Sequence, residues 1–314
     1  MNNKGKTGVA SKTPPITFCI FSFNRAQFLK NCVDSIQQAA PYADIWIFDD
    51  RSDDLETRTY LQEVTTVATV VQPALKGGKK HGGLYHNMQT AIEQLKEHPL
   101  VCFLQDDTQL VRPIDIEEVD SIEKVFEENA SAGFMHPCYI KGIDLTKRPL
   151  VDDPGPTSST FYRRSTNQSA GIHYSDLAIT KPARLLQKGW RFQQSEPEND
   201  KQAKRLFGPM IYMYSPFAMW LPDVPTWRGK RKTLGLRLAE KKKRCGFYPF
   251  RVLSEQESIA FVSRAPKDLP VAESFLHCTS QIPSKPWSYN PLTKQRWFKL
   301  LNNAEVRLRR FIKA

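Results

Sequence analysis

The chain contains no apolar run approaching the roughly 18 residues that cross a bilayer, and residues 1–14 lack the hydrophobic stretch of a signal peptide, so the expected location is the cytosol. Its six cysteines, Cys19, Cys32, Cys102, Cys138, Cys245 and Cys278, are scattered. No two have the spacing of a zinc or redox pair, which excludes a structural zinc knuckle and a disulfide framework. Cys19 and Cys102 fall inside apolar runs, where a free thiol behaves as a small hydrophobe. The six histidines form no H-E-x-x-H pattern, so a catalytic zinc site is not expected. There is no internal repeat, no Walker A spacing and no helix-turn-helix, zinc finger or aromatic RNA platform. No nucleic-acid partner is expected.

At 314 residues, 40% hydrophobic and 25% charged, the chain has the balance of a soluble globular protein with a sizeable core. Its basicity is local. Of the net +12, residues 228–244 contribute +8 and residues 294–313 contribute +6, leaving −2 for everything else.

Two acidic clusters stand out, each closing an apolar run: "DIWIFDDRSDD" around Asp49 and Asp50, and "LVCFLQDDTQL" around Asp106 and Asp107. Uninterrupted runs such as 45–48 and 100–104 read as strands buried on both faces, as in a parallel α/β sheet. Acids at the carboxyl ends of such strands face the crevice where open α/β sheets bind ligands. Upstream, "ITFCIFSF" (16–23) reads as a first strand. "NRAQFLKNCVDSIQQAA" follows as a helix with a capping-box-like start at Asn24 and Gln27 and a buried stripe of Phe28, Cys32 and Ile36. Further strands are expected at 67–71 and 100–104 and a helix at 88–97, an alternation that gives right-handed βαβ crossovers. Beyond Arg112 the pattern loosens to a helix near 116–129, a strand near 133–139, a long polar loop at 152–168, and a helix from Ser195 to Phe207. The last 90 residues show no clean period until Thr293. The expected layout is a tail at 1–14, a catalytic domain at 15–227 with a nucleotide-binding half (15–112) and an acceptor half (113–227), and a basic extension at 228–314.

The order of these pieces resembles glycosyltransferase family 2. "TFCIFSFNR" resembles the family's opening "SVVIPTYNR", "FDDRSDD" resembles "VDDGSTD", "YHNMQTAI" weakly resembles "ARNxGI", and "LQDDT" resembles the metal motif, all within residues 16–111. The resemblance implies a GT-A fold, an α/β Rossmann-like mostly parallel sheet flanked by helices, and inverting transfer from a nucleotide-sugar donor. It implies that Asp50 binds the nucleobase, with Phe23 and Asn24 in the pocket floor and Asp49 bracing the turn. Asp107, helped by Asp106, would hold Mn²⁺ or Mg²⁺ against the donor diphosphate as a Lewis acid. Gln105 departs from the family's first acid. The bland reading of both clusters is turn and helix capping. In the glycine- and lysine-rich "LKGGKKHGG", Lys79 and Lys80 are candidates for phosphate contact, or part of a solvated loop.

An inverting transfer needs a base for the acceptor hydroxyl. "SEPENDKQAKRLFG" resembles the family's "ED" segment and offers Glu198, Asp200 and Glu196, in that order. Ser195 and Glu198 equally suit a capping box. Tyr174 and Asp176 are candidates for acceptor binding. The expected partners are a nucleotide-sugar, UDP-linked by preference, and a saccharide or lipid-linked saccharide of the cell envelope or an extracellular polysaccharide. From Thr293 on, Trp297, Leu300, Leu301, Ala304, Leu308, Phe311 and Ile312 form a stripe opposite Arg307, Arg309, Arg310 and Lys313. Such a helix either lies on an anionic membrane through residues 294–314 or docks its stripe on the catalytic domain. Two other functions remain open on sequence alone: a nucleotidyltransferase on a related sheet, and a non-catalytic basic nucleic-acid-binding protein.

Overall fold

A computed structural model describes residues 14–72, 83–145, 151–164, 171–226, 232–266, 268–281 and 283–311. Strand β1 (Thr17–Ser22) is buried at every position, as its unbroken apolar run dictates. Its side chains alternate between two cores. Phe18 and Ile20 pack with helix α1 (Ala26–Ala39) through Leu29, Cys32, Val33 and Ile36. Cys19 and Phe21 pack on the other face with Met88, Ala91 and Ile92 of helix α3 (Leu84–Gln94). Between them lie β2 (Asp44–Asp49), helix α2 (Leu55–Glu63) and β3 (Thr69–Val71), and β4 (Val101–Gln105) follows α3. β2 and β4 pair parallel to the two edges of β1, and β3 pairs parallel to β2. The order β3-β2-β1-β4 brings the carboxyl ends of the four strands to one edge.

The sheet then becomes mixed. β5 (Thr108–Leu110), helix α4 (Ile116–Glu128), β6 (Met135–His136) and the short helix α5 (Gly142–Leu145) lead to an antiparallel hairpin of β7 (Val151–Pro154) and β8 (Thr160–Arg164). β9 (Ala178–Thr180) inserts antiparallel between β4 and β6, and β10 (Ile211–Met213) runs parallel to β6 after helices α6 (Pro182–Gln187) and α7 (Glu196–Leu206). The full order is β3-β2-β1-β4-β9-β6-β10-β8-β7, an α/β sheet of nine strands flanked by helices. The long loop expected at 152–168 is therefore hairpin through Arg164, where Phe161 is fully buried against the ring of Tyr212. A separate ribbon pairs β5 with β11 (Ala218–Trp220).

The C-terminal third carries helices α8 (Leu234–Lys243), α9 (Glu255–Val262), α10 (Ala272–Phe275) and α11 (Arg296–Phe311). The first three are too short to leave a visible period, yet α9, α10 and the segments around them belong to the same core. Phe250, Leu253, Phe261, Leu276 and Trp287 join the cluster that holds Phe18 and Ile20. Buried Gln109 pins this segment, donating to the Phe250 carbonyl and accepting from its amide at 2.8 Å each. Arg112, 1% exposed, bonds Glu118 and the carbonyls of Pro113, Ser215 and Pro216.

Candidate active site

The turn after β1 joins both acidic clusters. Asn24 does not cap α1: its backbone lies in the left-handed region at φ 52°, and the helix begins after Arg25 without a side-chain cap. Asparagine tolerates that conformation because its short amide bonds locally. Here the Asn24 side-chain Oδ1 accepts from the amides of Asp53 (2.8 Å) and Asp54 (3.2 Å), and its Nδ2 donates to the Asp53 carboxylate at 2.7 Å. One residue back, the Phe23 amide donates to the Asp106 carboxylate at 3.2 Å. One residue on, Arg25 reaches Asp106 at 3.1 Å and Asp107 at 2.7 Å.

Within the first cluster the acids divide their work. Asp49 is fully buried and accepts from the Ser52 hydroxyl (2.6 Å), the Ser52 amide (2.8 Å) and Gln72 (3.2 Å), so it braces the turn. Burial pushes its carboxyl above the usual range, and the bonds from Ser52 and Gln72 oppose that rise. Asp54 caps α2, accepting from the Thr57 amide at 2.8 Å. Asp50 is partly exposed at the strand end and accepts from the amide of Gly83, which starts α3 with φ 78°. Lys79 and Lys80 lie outside the described residues.

Asp106 and Asp107 occupy the turn between β4 and β5, and neither caps a helix. Burial drives the Asp106 carboxyl up to about 6, against the lowering pull of Arg25, while the neighbouring Asp107 adds to the rise. Both of its oxygens are engaged, by Phe23 and Arg25. Asp107 differs. One oxygen meets Arg25, and the other, Oδ1, is buried without a hydrogen-bond partner. A buried, unsatisfied carboxylate oxygen costs free energy unless a cation or donor meets it, so this position fits a hard cation. Among the described residues no three acids, histidines or cysteines cluster as a complete metal cage. A cation here would complete its shell from phosphate oxygens and water.

A cavity of about 160 Å³, linked to this pair through Trp220, is lined by His136, Lys141, Arg163, Ser175, Glu196 and Tyr212 among others. Trp220 joins the two regions: it pairs with Thr108, and the next amide, Leu221, donates to the Asp107 carbonyl at 2.8 Å. Lys141 lies 3.8 Å from the centre of the Trp220 ring and 4.8 Å from that of Tyr289. His136 is buried and bonded to the Leu177 carbonyl, and burial lowers it to about 3, which keeps it neutral.

The three acids of the α7 segment separate clearly. Glu196, in the first turn of α7, lines the cavity, and its carboxyl is raised chiefly by burial. Glu198 is exposed and accepts from the Ser195 hydroxyl at 2.8 Å. Asp200 is buried, and one oxygen accepts the amides of Ile172, His173 and Tyr174 at 2.8–3.1 Å, tying down the chain before β9. Tyr174 is fully buried and its hydroxyl donates to Asp176 at 2.9 Å, while Tyr85 donates to the other oxygen at 3.2 Å. Burial and the charge of Glu196 push Asp176 up to about 7. Tyr174 thus positions Asp176, next in the chain to the cavity-lining Ser175.

Arg25, Lys141 and Arg163 were not singled out from sequence. Arg25 sits inside the quoted "FNR" motif, whereas Lys141 follows a mixed stretch that includes His136 and Pro137 and lies five residues past the end of β6. Neither Lys141 nor Arg163 had such a signal.

No family model and no curated protein matches the chain. Among solved structures it is similar to S. aureus TarS (13% identity, TM-score 0.43, covering 65% of this chain and 36% of that one). It is also similar to TarS 1–349 in complex with UDP (13%, 0.44, 65% and 59%). A third is the mannosyltransferase PcManGT from Pyrobaculum calidifontis in complex with GDP-Man and Mn²⁺ (14%, 0.42, 74% and 62%). The chain thus spans less than two thirds of the length of each.

Proposed function

We propose that this protein is an inverting glycosyltransferase that moves a sugar from a nucleotide-sugar, UDP-linked by preference, to a hydroxyl of a saccharide or lipid-linked saccharide. The observation that carries the reading is the Phe23–Asn24–Arg25 turn. Three consecutive residues bond the Asp49–Asp54 cluster on one side and Asp106 and Asp107 on the other, so that two acidic strand ends form one crevice. An acidic crevice with a neighbouring cavity suits a ligand that has a base at one end, a diphosphate in the middle and a sugar at the other.

In this reading Asp50 accepts the N–H of the base, and Asp49 holds the turn that presents it. Asp107 would hold Mn²⁺ or Mg²⁺, and that cation would stabilise the charge on the departing diphosphate. Arg25 keeps the Asp106–Asp107 pair compact. The acceptor hydroxyl enters the cavity beside Trp220 and gives its proton to Glu196 as its oxygen attacks the anomeric carbon. The bond from that carbon to the diphosphate breaks on the opposite face, and the nucleoside diphosphate leaves. Glu196 is preferred as base because it lines the cavity, whereas Glu198 faces solvent and Asp200 is committed to three amides. Asp176 feels its charge.

The test is a donor-hydrolysis and transfer assay on purified protein with UDP-, GDP- and dTDP-sugars, with and without Mn²⁺. Glu196→Gln is expected to lose transfer by roughly 100-fold or more while still binding the nucleoside diphosphate. Asp107→Asn is expected to lose the metal response. Transfer at the wild-type rate in both variants overturns the proposal, as does release of pyrophosphate in place of nucleoside diphosphate.

A further inference from the structure

Helices α8 and α11 pack against each other, and the way they do so leaves an apolar surface open. Along α11, Phe298, Asn302, Glu305 and Arg309 meet the start of α8 and the two residues before it. Backbone atoms of Phe298 and Asn302 close on Gly235, Asn302 accepts from the Thr233 hydroxyl at 2.7 Å, Glu305 accepts from the Leu234 amide at 2.7 Å, and Arg309 donates to the Lys232 carbonyl at 3.2 Å. At about 100° per residue, this stripe is turned by about a quarter of the helix circumference from Trp297, Leu301 and Leu308. The apolar stripe is therefore not what docks. Trp297 is 82% exposed, Leu300 61% and Leu308 59%. With Leu301 of α11 and Leu234 and Leu238 of α8, these two helices carry six of the eleven large hydrophobic residues exposed among the described residues, which makes the patch a concentrated feature of the surface.

Its surroundings are strongly basic. Arg237, Lys241 and Lys242 of α8 and Arg296, Lys299 and Arg307 of α11 are all exposed, within segments of net +8 and +6. That charge opposes pairing with a second copy of this chain, and a nucleic acid would leave the tryptophan and leucines in water. An anionic bilayer satisfies both, because apolar side chains enter the acyl boundary while arginine and lysine meet the headgroups, and tryptophan favours that interface. We propose that the α8–α11 pair is a docking platform for an anionic lipid surface. The proposal is independent of the transfer chemistry, although it would bring a lipid-linked acceptor within reach of the same molecule.

The experiment is co-sedimentation of the full chain with phosphatidylcholine vesicles and with vesicles that also contain phosphatidylglycerol. Binding is expected only to the anionic vesicles, weakening as salt rises, with a blue shift in tryptophan emission. Trp297→Glu combined with Leu308→Glu should reduce binding at least roughly tenfold, and Lys241→Glu with Arg307→Glu should do the same. All four positions are exposed, so circular dichroism, melting temperature and donor hydrolysis are expected to match the wild type. Absent or equal binding to the two vesicle types overturns the proposal. So does a wild-type dimer in sedimentation velocity that the Trp297 and Leu308 variant converts to monomer.

Discussion

Asp176 accepts two tyrosine hydroxyls, yet burial and the charge of Glu196 carry its carboxyl to about 7, well above the roughly 4 of an unfolded aspartate. The folded state therefore binds the proton more tightly than the unfolded chain. Its contribution to stability is full below about pH 4 and is lost as pH rises through 7. Asp176→Asn removes that loss. The variant is expected to melt higher than the wild type at pH 8 and alike at pH 4, which thermal denaturation at the two pH values will show. Glu196 follows from the same burial: its raised carboxyl must be ionised to take a proton, so transfer should rise with pH through its titration. Glu196→Gln should abolish that acid limb together with the rate. Arg25 acts in the opposite sense on Asp106, which titrates up to about 6 even with the guanidinium in place. With Arg25→Met, metal-free protein should lose stability as pH rises above 6, and Mn²⁺ should raise the melting temperature of the variant more than that of the wild type.

Elements hold these residues by specific close contacts, and one of them is at the start of α8. A Cβ placed on Gly235 would lie 2.5 Å from the Phe298 carbonyl oxygen and 2.6 Å from the Asn302 amide nitrogen, both backbone atoms that cannot swing aside. Gly235→Val should separate α11 from α8 without touching the nine-stranded sheet. Limited proteolysis is the measure, with faster cleavage near residues 290–300 and unchanged nucleotide binding as the expected result. The hairpin of β7 and β8 shows how a strand hides in polar sequence. Pro154, Thr157 and Ser159 read as loop, but Phe161 supplies the buried side chain that commits the segment to the sheet edge.

For the molecule as a whole, residues 250–287 of the C-terminal third contribute to the core. Trp287 is 1% exposed, packs on Phe250 at 5.1 Å between ring centroids, and shares a cluster with β1. Trp287→Ala should cost about 3–5 kcal/mol, the range for truncating a fully buried aromatic side chain, and should lower a single unfolding transition in urea. Two separate transitions would show that residues 250–287 unfold apart from the sheet.

The α/β sheet through β4, the strand-end positions of Asp50 and Asp107 and the basic helix at the C-terminus followed from sequence, because each depends on a local period or on the run of residues next to it. The three acids of "SEPEND" could not be ranked that way. All are polar residues at the start of one helix, and only the tertiary placement of α7 sets Glu196 at the cavity, Asp200 on the amides of residues 172–174 and Glu198 in water. The partners of Arg25 and Lys141, and the apolar stripe of α11 left open beside α8, also belong to the tertiary structure. Each depends on contacts across tens to hundreds of residues, which no local pattern in the chain encodes.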